Sequence, residues 1–450
     1  MITIRRRLIV WLIRAYIKKW GRSIFIFFIL GLVGFFLFRF VMRMLPSTLP
    51  IMDKETVGMV GSFTINSLPS DVLDQISQGL TKVSQDGTIK PGLSTSWKID
   101  KMGKIYTFNL RKDVFFSDGT KFTSKTINYG FSDVKVIRPD DFTIIFQLKD
   151  SYAPFLVTVS RPIFKKGFVG IGNYQVKDVE LNGSFVTSID LYSTNNERKI
   201  LRFQFFPTED ALKTAFVLGE VSRIYTVHDI NFRDISFSKF KTTQINKLLY
   251  DQKLATLFIN VNDKVLSEKK IRNALFYTIP DKFDEGLRNS SPFSPLAWAN
   301  TAGDLHQQDL AHAKELISSS SFSSSSAKTK FTIKTLPQYE KTAKILLENF
   351  KRIGIAGETE VVESIPLNFQ MFLGDFWLSK DPDQYMLWHS NQKDNITGYK
   401  NLRIDKLLED GRKTVDFNER RKIYSDFIKY MHDDPPAFFL YVPFAYEIKR

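Results

Sequence analysis

Cysteine is missing from all 450 residues, which excludes disulfides, thiolate metal sites, cysteine nucleophiles and a lipid-acceptor cysteine. Histidine is scarce, and His228, His306, His312, His389 and His432 are scattered without metal-ligand spacing, so each reads as structural or exposed. No G-x-S-x-G elbow, phosphate-binding glycine loop or H-E-x-x-H occurs. No catalytic constellation is left, and the chain is expected to be a non-enzyme with no cofactor and no metal. Acidic residues are absent from the first 45 positions, which hold nine of the 63 Lys and Arg. The remaining 54 basic residues face 48 acids, so the rest carries only +6 of the +15 net charge. An excess that small makes no basic face for nucleic acid.

What is abundant is apolar. Forty-one Phe and 43% hydrophobic residues imply packed cores, and 450 residues have room for two or three domains. Ser23 to Phe38 is sixteen residues without a charge, and the apolar run reaches Leu45 if Arg39 and Arg43 snorkel. A helix over 23–45 is long enough to cross a bilayer. Arg5, Arg6, Arg7, Arg14, Lys18, Lys19 and Arg22 precede it, which keeps 1–22 in the cytoplasm and places everything after residue 46 outside. A cleaved signal peptide is the alternative. It is disfavoured because FRFVMRMLPSTLP offers no small-x-small cleavage site and the basic region is long. The 8–17 stretch, LIVWLIRAYI, reads as an amphipathic helix on the inner surface or as unstructured, and 46–56 as a tether.

Residues 87–131, GTIKPGLSTSWKIDKMGKIYTFNLRKDVFFSDGTKFTSKTINYGF, carry the densest pattern. Tyr106, Phe108 and Leu110 alternate with Ile105, Thr107 and Asn109, the period of a strand with one buried face. An Asp118-Gly119 turn follows, and then a Thr/Ser cluster that predicts a helix start. Further helices are predicted over 208–218, 267–277, 308–317, 339–353, 405–411 and 418–432, with strands among them. The alternation points to mixed α/β lobes. The serine-rich 318–330 cannot build a core and reads as a solvated connector.

The ordered signature of 87–131 resembles that of the peptide-binding, family 5 extracellular solute-binding proteins of ABC importers, the oligopeptide and dipeptide type. The likeness continues in register through GNYQVKDVELNGSFVTSIDLY, PTEDALKTAFVLGEV, LATLFINVNDKVLSEKKIRNALFYTIPD, KILLENFKRIGI and NITGYKNLRIDKLLEDGRKTVDFNERRKIYSDFIKYMHDDPPAFFLY. It implies an α/β, two-lobed, periplasmic-binding-protein-like clamshell with an extra small domain. Lobe I is expected over 57–79, 161–250 and 441–450, the small domain over 80–160, and lobe II over 251–440. The short 128–141 connection implies a trimmed small domain, and the stop at Arg450 a minimal return to lobe I.

The same resemblance implies a peptide ligand in the interlobe cleft and permease subunits as partners. The amino-terminal segment, not the resemblance, gives the expected location: single-pass in the cell membrane with the binding domain outside. Within FQMFLGDFWLSKDPDQYMLW, Phe372 and Gly374 fall in the ligand-contacting segment, and Asp375 on the carboxylate that pairs with the peptide's α-ammonium. Three extra residues before Asp381-Pro382-Asp383 depart from the pattern, and the alternative for Asp375 is a surface carboxylate. Asp381 and Asp383 read as turn-formers. Ser62, Phe63, Thr64 and Tyr441 are the further cleft candidates, while Trp298, Trp377 and Trp388 are pocket walls or core. Two other functions stay open: a sensory or interaction protein using the same clamshell, or a receptor for a non-peptide solute such as a nickel complex.

Overall fold

The computed structural model describes residues 6–48, 53–196, 198–301, 306–324 and 330–450. The first residues of the basic segment, 49–52 of the tether and 325–329 of the serine connector lie outside them. The amino-terminal helix is continuous over Arg6–Thr48, so the inner-surface and spanning helices expected separately are one element. Only Gly21 interrupts the good helix formers at the expected boundary, and one glycine costs about 1 kcal/mol, too little to break 43 residues. Within it Ile13–Val41 has a mean hydropathy of 2.6 and is long enough to cross a bilayer, with its most apolar part unburied. A signal sequence meets the same criterion.

The first lobe is organised on Asp53–Val60, which pairs in parallel with Lys199–Phe206 on one side and Arg223–Val227 on the other. Its alternation sends Val57 and Met59 to a core with Val72, Ile76 and Phe203. Gly58 faces the other way, against the Glu209–Leu218 helix, where a Cβ would stand 2.2 Å from Leu212. Thr208 caps that helix, its Oγ1 accepting from the Ala211 amide at 3.2 Å.

From this lobe the chain departs and returns side by side. Leu80 N donates to Val159 O at 2.9 Å and Ile163 N to Gln78 O at 2.9 Å, so Gly79 lies against the backbone of Ser160. Between these points stands a four-stranded antiparallel sheet in the order Ser94–Ile99, Ile105–Leu110, Thr143–Leu148, Val134–Asp140. Tyr106, Phe108 and Leu110 are buried as their alternation predicts. Gly119 makes its turn at φ 80°, a value that favours glycine. The helix expected next does not form. Ser124–Thr126 makes a single 3-10 turn, after which Ile127 is extended, the Asn128 side chain accepts from Gly130 N, and Gly130 takes φ 66°.

The second lobe is a three-layer unit. Its sheet runs Gly357–Val361, Phe331–Thr335, Met371–Trp377, Lys253–Ile259. Leu257, Ile333 and Leu373 face the Lys269–Phe276 and Glu340–Arg352 helices. Leu254, Phe258 and Phe372 face Leu402–Lys413 and Phe417–Asp433. Burial on both faces explains why LATLFI, with Thr256 as its one polar residue, does not alternate.

The strand Ala437–Lys449 belongs to both lobes. Its first half pairs with the second lobe, Tyr441 opposite Ala255, and its second half with the first, Phe444 opposite Leu249 and Ile448 opposite Ile224. Two chain passages, at 250–252 and 442–443, therefore cross together between the lobes, tied by Tyr250 N to Pro443 O at 2.9 Å. Two sheets joined by such a narrow crossing form a clamshell with a hinge.

Candidate functional site: the cleft between the lobes

Where the lobes face each other, three adjoining cavities of about 330, 410 and 310 Å³ line up. The first is walled by Tyr339, Tyr441, Pro443, Glu285 and Lys341, with His228 opposite. In the second, Phe63, Tyr225 and His228 of the first lobe face Lys253 and Trp377 of the second, with Tyr250 at the crossing between them. The third runs from Asp71 and Asp74 to Asp251 and Lys380, with Gln85 and Gly87 at its edge. His228 is common to the first two cavities, and Asp71, Tyr225 and Gln252 to the second and third, so they form one trough. Each cavity alone reaches the size of a small-ligand site.

Asp375, in the strand Met371–Trp377, is bonded to Tyr339, which walls the first cavity, and to Lys253, which lines the second. Its Oδ2 accepts from Lys253 Nζ at 3.0 Å and its Oδ1 from the Tyr339 hydroxyl at 2.5 Å. The carboxylate side chain is 15% exposed and the lysine 17%. Lys253 Nζ also stands 4.7 Å from the Trp377 ring centre and 6.0 Å from that of Tyr250. Trp377 is well exposed and lines the second cavity.

The other expected residues divide. Phe372 does not reach the trough: strand alternation turns it away from Asp375 into the core, where its ring stacks on Phe258 at 6.0 Å. Gly374 shares that inward face, and a Cβ there would meet the Phe372 ring at 2.5 Å. Phe63 lines the second cavity and packs edge-on against Phe205. Ser62 is exposed beside it, and the Thr64 amide and hydroxyl are both bonded to Ser67 Oγ at 2.9 Å. Tyr441 walls the first cavity, with its hydroxyl 2.9 Å from that of Thr342. Trp388 is core, and Trp298 packs on Phe417. Asp381 forms a bidentate pair with Arg420 at 2.9 and 2.6 Å, while its Oδ1 also accepts from Asp383 N in the turn.

Sequence reasoning does not mark Lys253, Tyr339, Tyr225 and Asp71 as cleft residues, and it reads His228, which lines two of the cavities, as structural or exposed. Lys253 carried one available signal, a lone cation opening an apolar strand; the others lie in ordinary surroundings until the lobes meet.

The lining has both signs of charge. Burial, followed by the charge of Asp375 and its hydrogen bond, raises the Tyr339 pKa, so the phenol stays protonated and donates. Burial and then the neighbouring Asp71 push Tyr225 up to about 12. Burial raises Asp251, and it raises Asp74 against the opposing charge of Lys380. For Glu209 burial acts upward, but hydrogen bonding and charge from His228 outweigh it and lower the pKa; His228 Nδ1 is 2.5 Å from Glu209 Oε1. Among the described residues, no three His, Asp or Glu side chains converge as a metal's donor set.

A two-lobed α/β clamshell with a trough between its lobes defines the class of periplasmic-binding-protein-like solute receptors. The chain belongs to the bacterial extracellular solute-binding proteins, family 5, whose model matches residues 88–398. It is 25% identical to the oligopeptide-binding protein AppA of Bacillus subtilis (strain 168) over a 476-residue alignment covering 86% of each. The fold matches the ABC transporter substrate-binding protein CtaP of Listeria monocytogenes with a TM-score of 0.74 at 20% identity, over 88% of this chain and 94% of that one. It also matches NikZ of Campylobacter jejuni, solved in complex with Ni(L-His), with a TM-score of 0.71 at 20% identity and the same coverage. At the level of the family, the chain is a solute-binding protein of ABC importers rather than an enzyme.

Proposed function

We propose that this protein captures peptides in the trough between its lobes and delivers them to the permease subunits of an ABC importer. The observation that carries the reading is the trough itself: adjoining cavities walled by both lobes and lined with carboxylates, ammonium groups and aromatic rings. A peptide is zwitterionic, has a repeating set of main-chain donors and acceptors, and varies in its side chains. A mixed-charge, aromatic trough suits all three properties. Likeness to an oligopeptide-binding protein supports the same choice. On this reading Asp375, Phe63 and Tyr441 contact or wall the ligand, Ser62 and Thr64 border it, and Phe372 and Gly374 support the strand from behind.

Closure about the paired crossings at 250–252 and 442–443 would bury the ligand and present the closed form to the permease. The lobes are assigned as 57–79, 161–250 and 441–450 for the first and 251–440 for the second, with 80–160 as the small domain. The amino-terminal helix is read as a retained single-pass anchor, with the basic end in the cytoplasm and the receptor outside.

Mass spectrometry of molecules released from the purified protein, followed by calorimetry with a varied peptide panel, tests the reading. Co-purifying peptides and peptide binding are expected. Recovery of a nickel complex instead, or no binding across widely varied sequences, overturns it.

A further inference from the structure

On the peptide reading Asp375 would receive a ligand's ammonium, yet its carboxylate already holds one. Lys253 reaches Asp375 by strand register: Lys253 stands opposite Trp377 and Ala255 opposite Asp375, so the lysine and the carboxylate are diagonal neighbours on one sheet face. Between them, Ala255 offers only a methyl group, which leaves the lysine stem room to cross. The ammonium then meets three features at once: Asp375 Oδ2 at 3.0 Å, the Trp377 ring at 4.7 Å and the Tyr250 ring at 6.0 Å. A carboxylate flanked by aromatic rings is the surrounding that recognises a free ammonium ion. Here it is filled from within the chain. Tyr339 occupies the other carboxylate oxygen at 2.5 Å, and both charged side chains are more than four-fifths buried.

An incoming α-ammonium has two ways to use Asp375. It can displace Lys253, leaving that cation in a largely buried place without its counter-ion, or it can enter beside Lys253 and place two cations on one carboxylate. Both carry a penalty that a ligand without a charged amino end avoids.

We propose that Lys253 is a tethered occupant of the ammonium subsite at Asp375, so that the trough favours peptides whose amino end carries no free charge, such as N-acylated or cyclised ones. This deepens the peptide reading and rests on it. Lys253 thus acts as a specificity determinant, and main-chain and side-chain contacts along the trough supply the affinity.

The test is calorimetry on the full-length protein in lipid nanodiscs, with synthetic peptides of varied length and sequence, each made with a free and an N-acetylated amino terminus. The wild-type protein should bind the acetylated member of each pair more tightly. Lys253→Met, which keeps the apolar stem and frees the carboxylate, should reverse the order and favour the free amine by about tenfold. Lys253→Gln should behave alike, which guards against a fault peculiar to one variant, and thermal unfolding verifies that both are folded. A wild-type preference of about tenfold for free amino termini overturns the proposal while leaving the peptide reading intact. Unreversed order in both folded variants does the same. No binding of either peptide form to any of the three proteins overturns the peptide reading itself.

Discussion

Replacing Asp381 by alanine takes the counter-ion from a guanidinium that has almost no contact with water. The Arg420 and Asp381 side chains are 8% and 9% exposed and make two parallel bonds at 2.9 and 2.6 Å. Burial alone disfavours charge on Arg420, but Asp381 and then Tyr424 outweigh it and raise its pKa, so the arginine stays charged. Breaking such a pair from one side costs about 3 to 5 kcal/mol, because the remaining ion is neither hydrated nor paired. The double variant Asp381→Leu with Arg420→Met removes both ions, and the desolvation penalty goes with them. It still loses the bond from Arg420 Nε to Gly411 O at 2.7 Å, which caps a carbonyl in the last turn of the Leu402–Lys413 helix. That loss is worth about 1 kcal/mol, so the double variant should cost less than either single one. Equilibrium unfolding in urea, followed by tryptophan fluorescence, measures all three. A cost for Asp381→Ala below about 1 kcal/mol, or a double variant costing the sum of the singles, would refute the reasoning. The neighbouring Arg412 and Asp383 pair, at 2.8 Å but with the arginine 26% exposed, should matter less, by about 1 kcal/mol.

Three further outcomes follow from other parts of the molecule. His306, stacked on Phe276 at 3.8 Å, is held at about pH 4 by burial and then by the charges of His432 and Arg288, below its ordinary 6.5. The unfolded chain therefore takes up this proton first, and the associated stability is complete above about pH 6.5 and is lost as pH falls toward 4. Allowing for its partial contact with water, the loss is about 1 to 2 kcal/mol. His306→Phe should flatten that part of the urea midpoint's pH profile, and an unchanged slope would dismiss the assignment. Gly79→Ala puts a Cβ 2.3 Å from the Ser160 carbonyl oxygen, where two backbones cannot separate without shifting the small domain. A cost of about 2 to 3 kcal/mol is expected in chemical unfolding, against almost none if the two passages move freely. Finally, membrane-bound protein should show the intact mass including Met1 to Thr48 and resist extraction at alkaline pH; a mass lacking the apolar helix would make it a cleaved signal.

Local periodicity was the most readable part of this chain. Tyr106, Phe108 and Leu110 face a core because a half-buried strand permits no other arrangement of those side chains, and Gly119 marks its turn for an equally local reason. The Thr/Ser cluster after it misled because a capping pattern starts a turn but does not extend it. Asn128 and Gly130 end the matter within a few residues. Likewise the boundary drawn inside the amino-terminal helix followed a change in charge, whereas backbone hydrogen bonding continues through it. The trough was legible only at single points. The motif marks Asp375 and Phe372 together as cleft residues, although strand residues three apart point to opposite faces and cannot both line one cleft. Lys253 lies 122 positions before Asp375, and nothing local states that Ala255, rather than Leu254, will stand opposite the carboxylate. A register shifted by one residue would turn Lys253 to the far face, place Leu254 in its stead and leave Asp375 unpaired for a ligand. The character of the subsite thus depends on strand pairing, which is settled by the burial of Leu254, Leu257 and Phe258 on two separate cores. Ligand preference and core packing are determined by the same register, and neither can change alone.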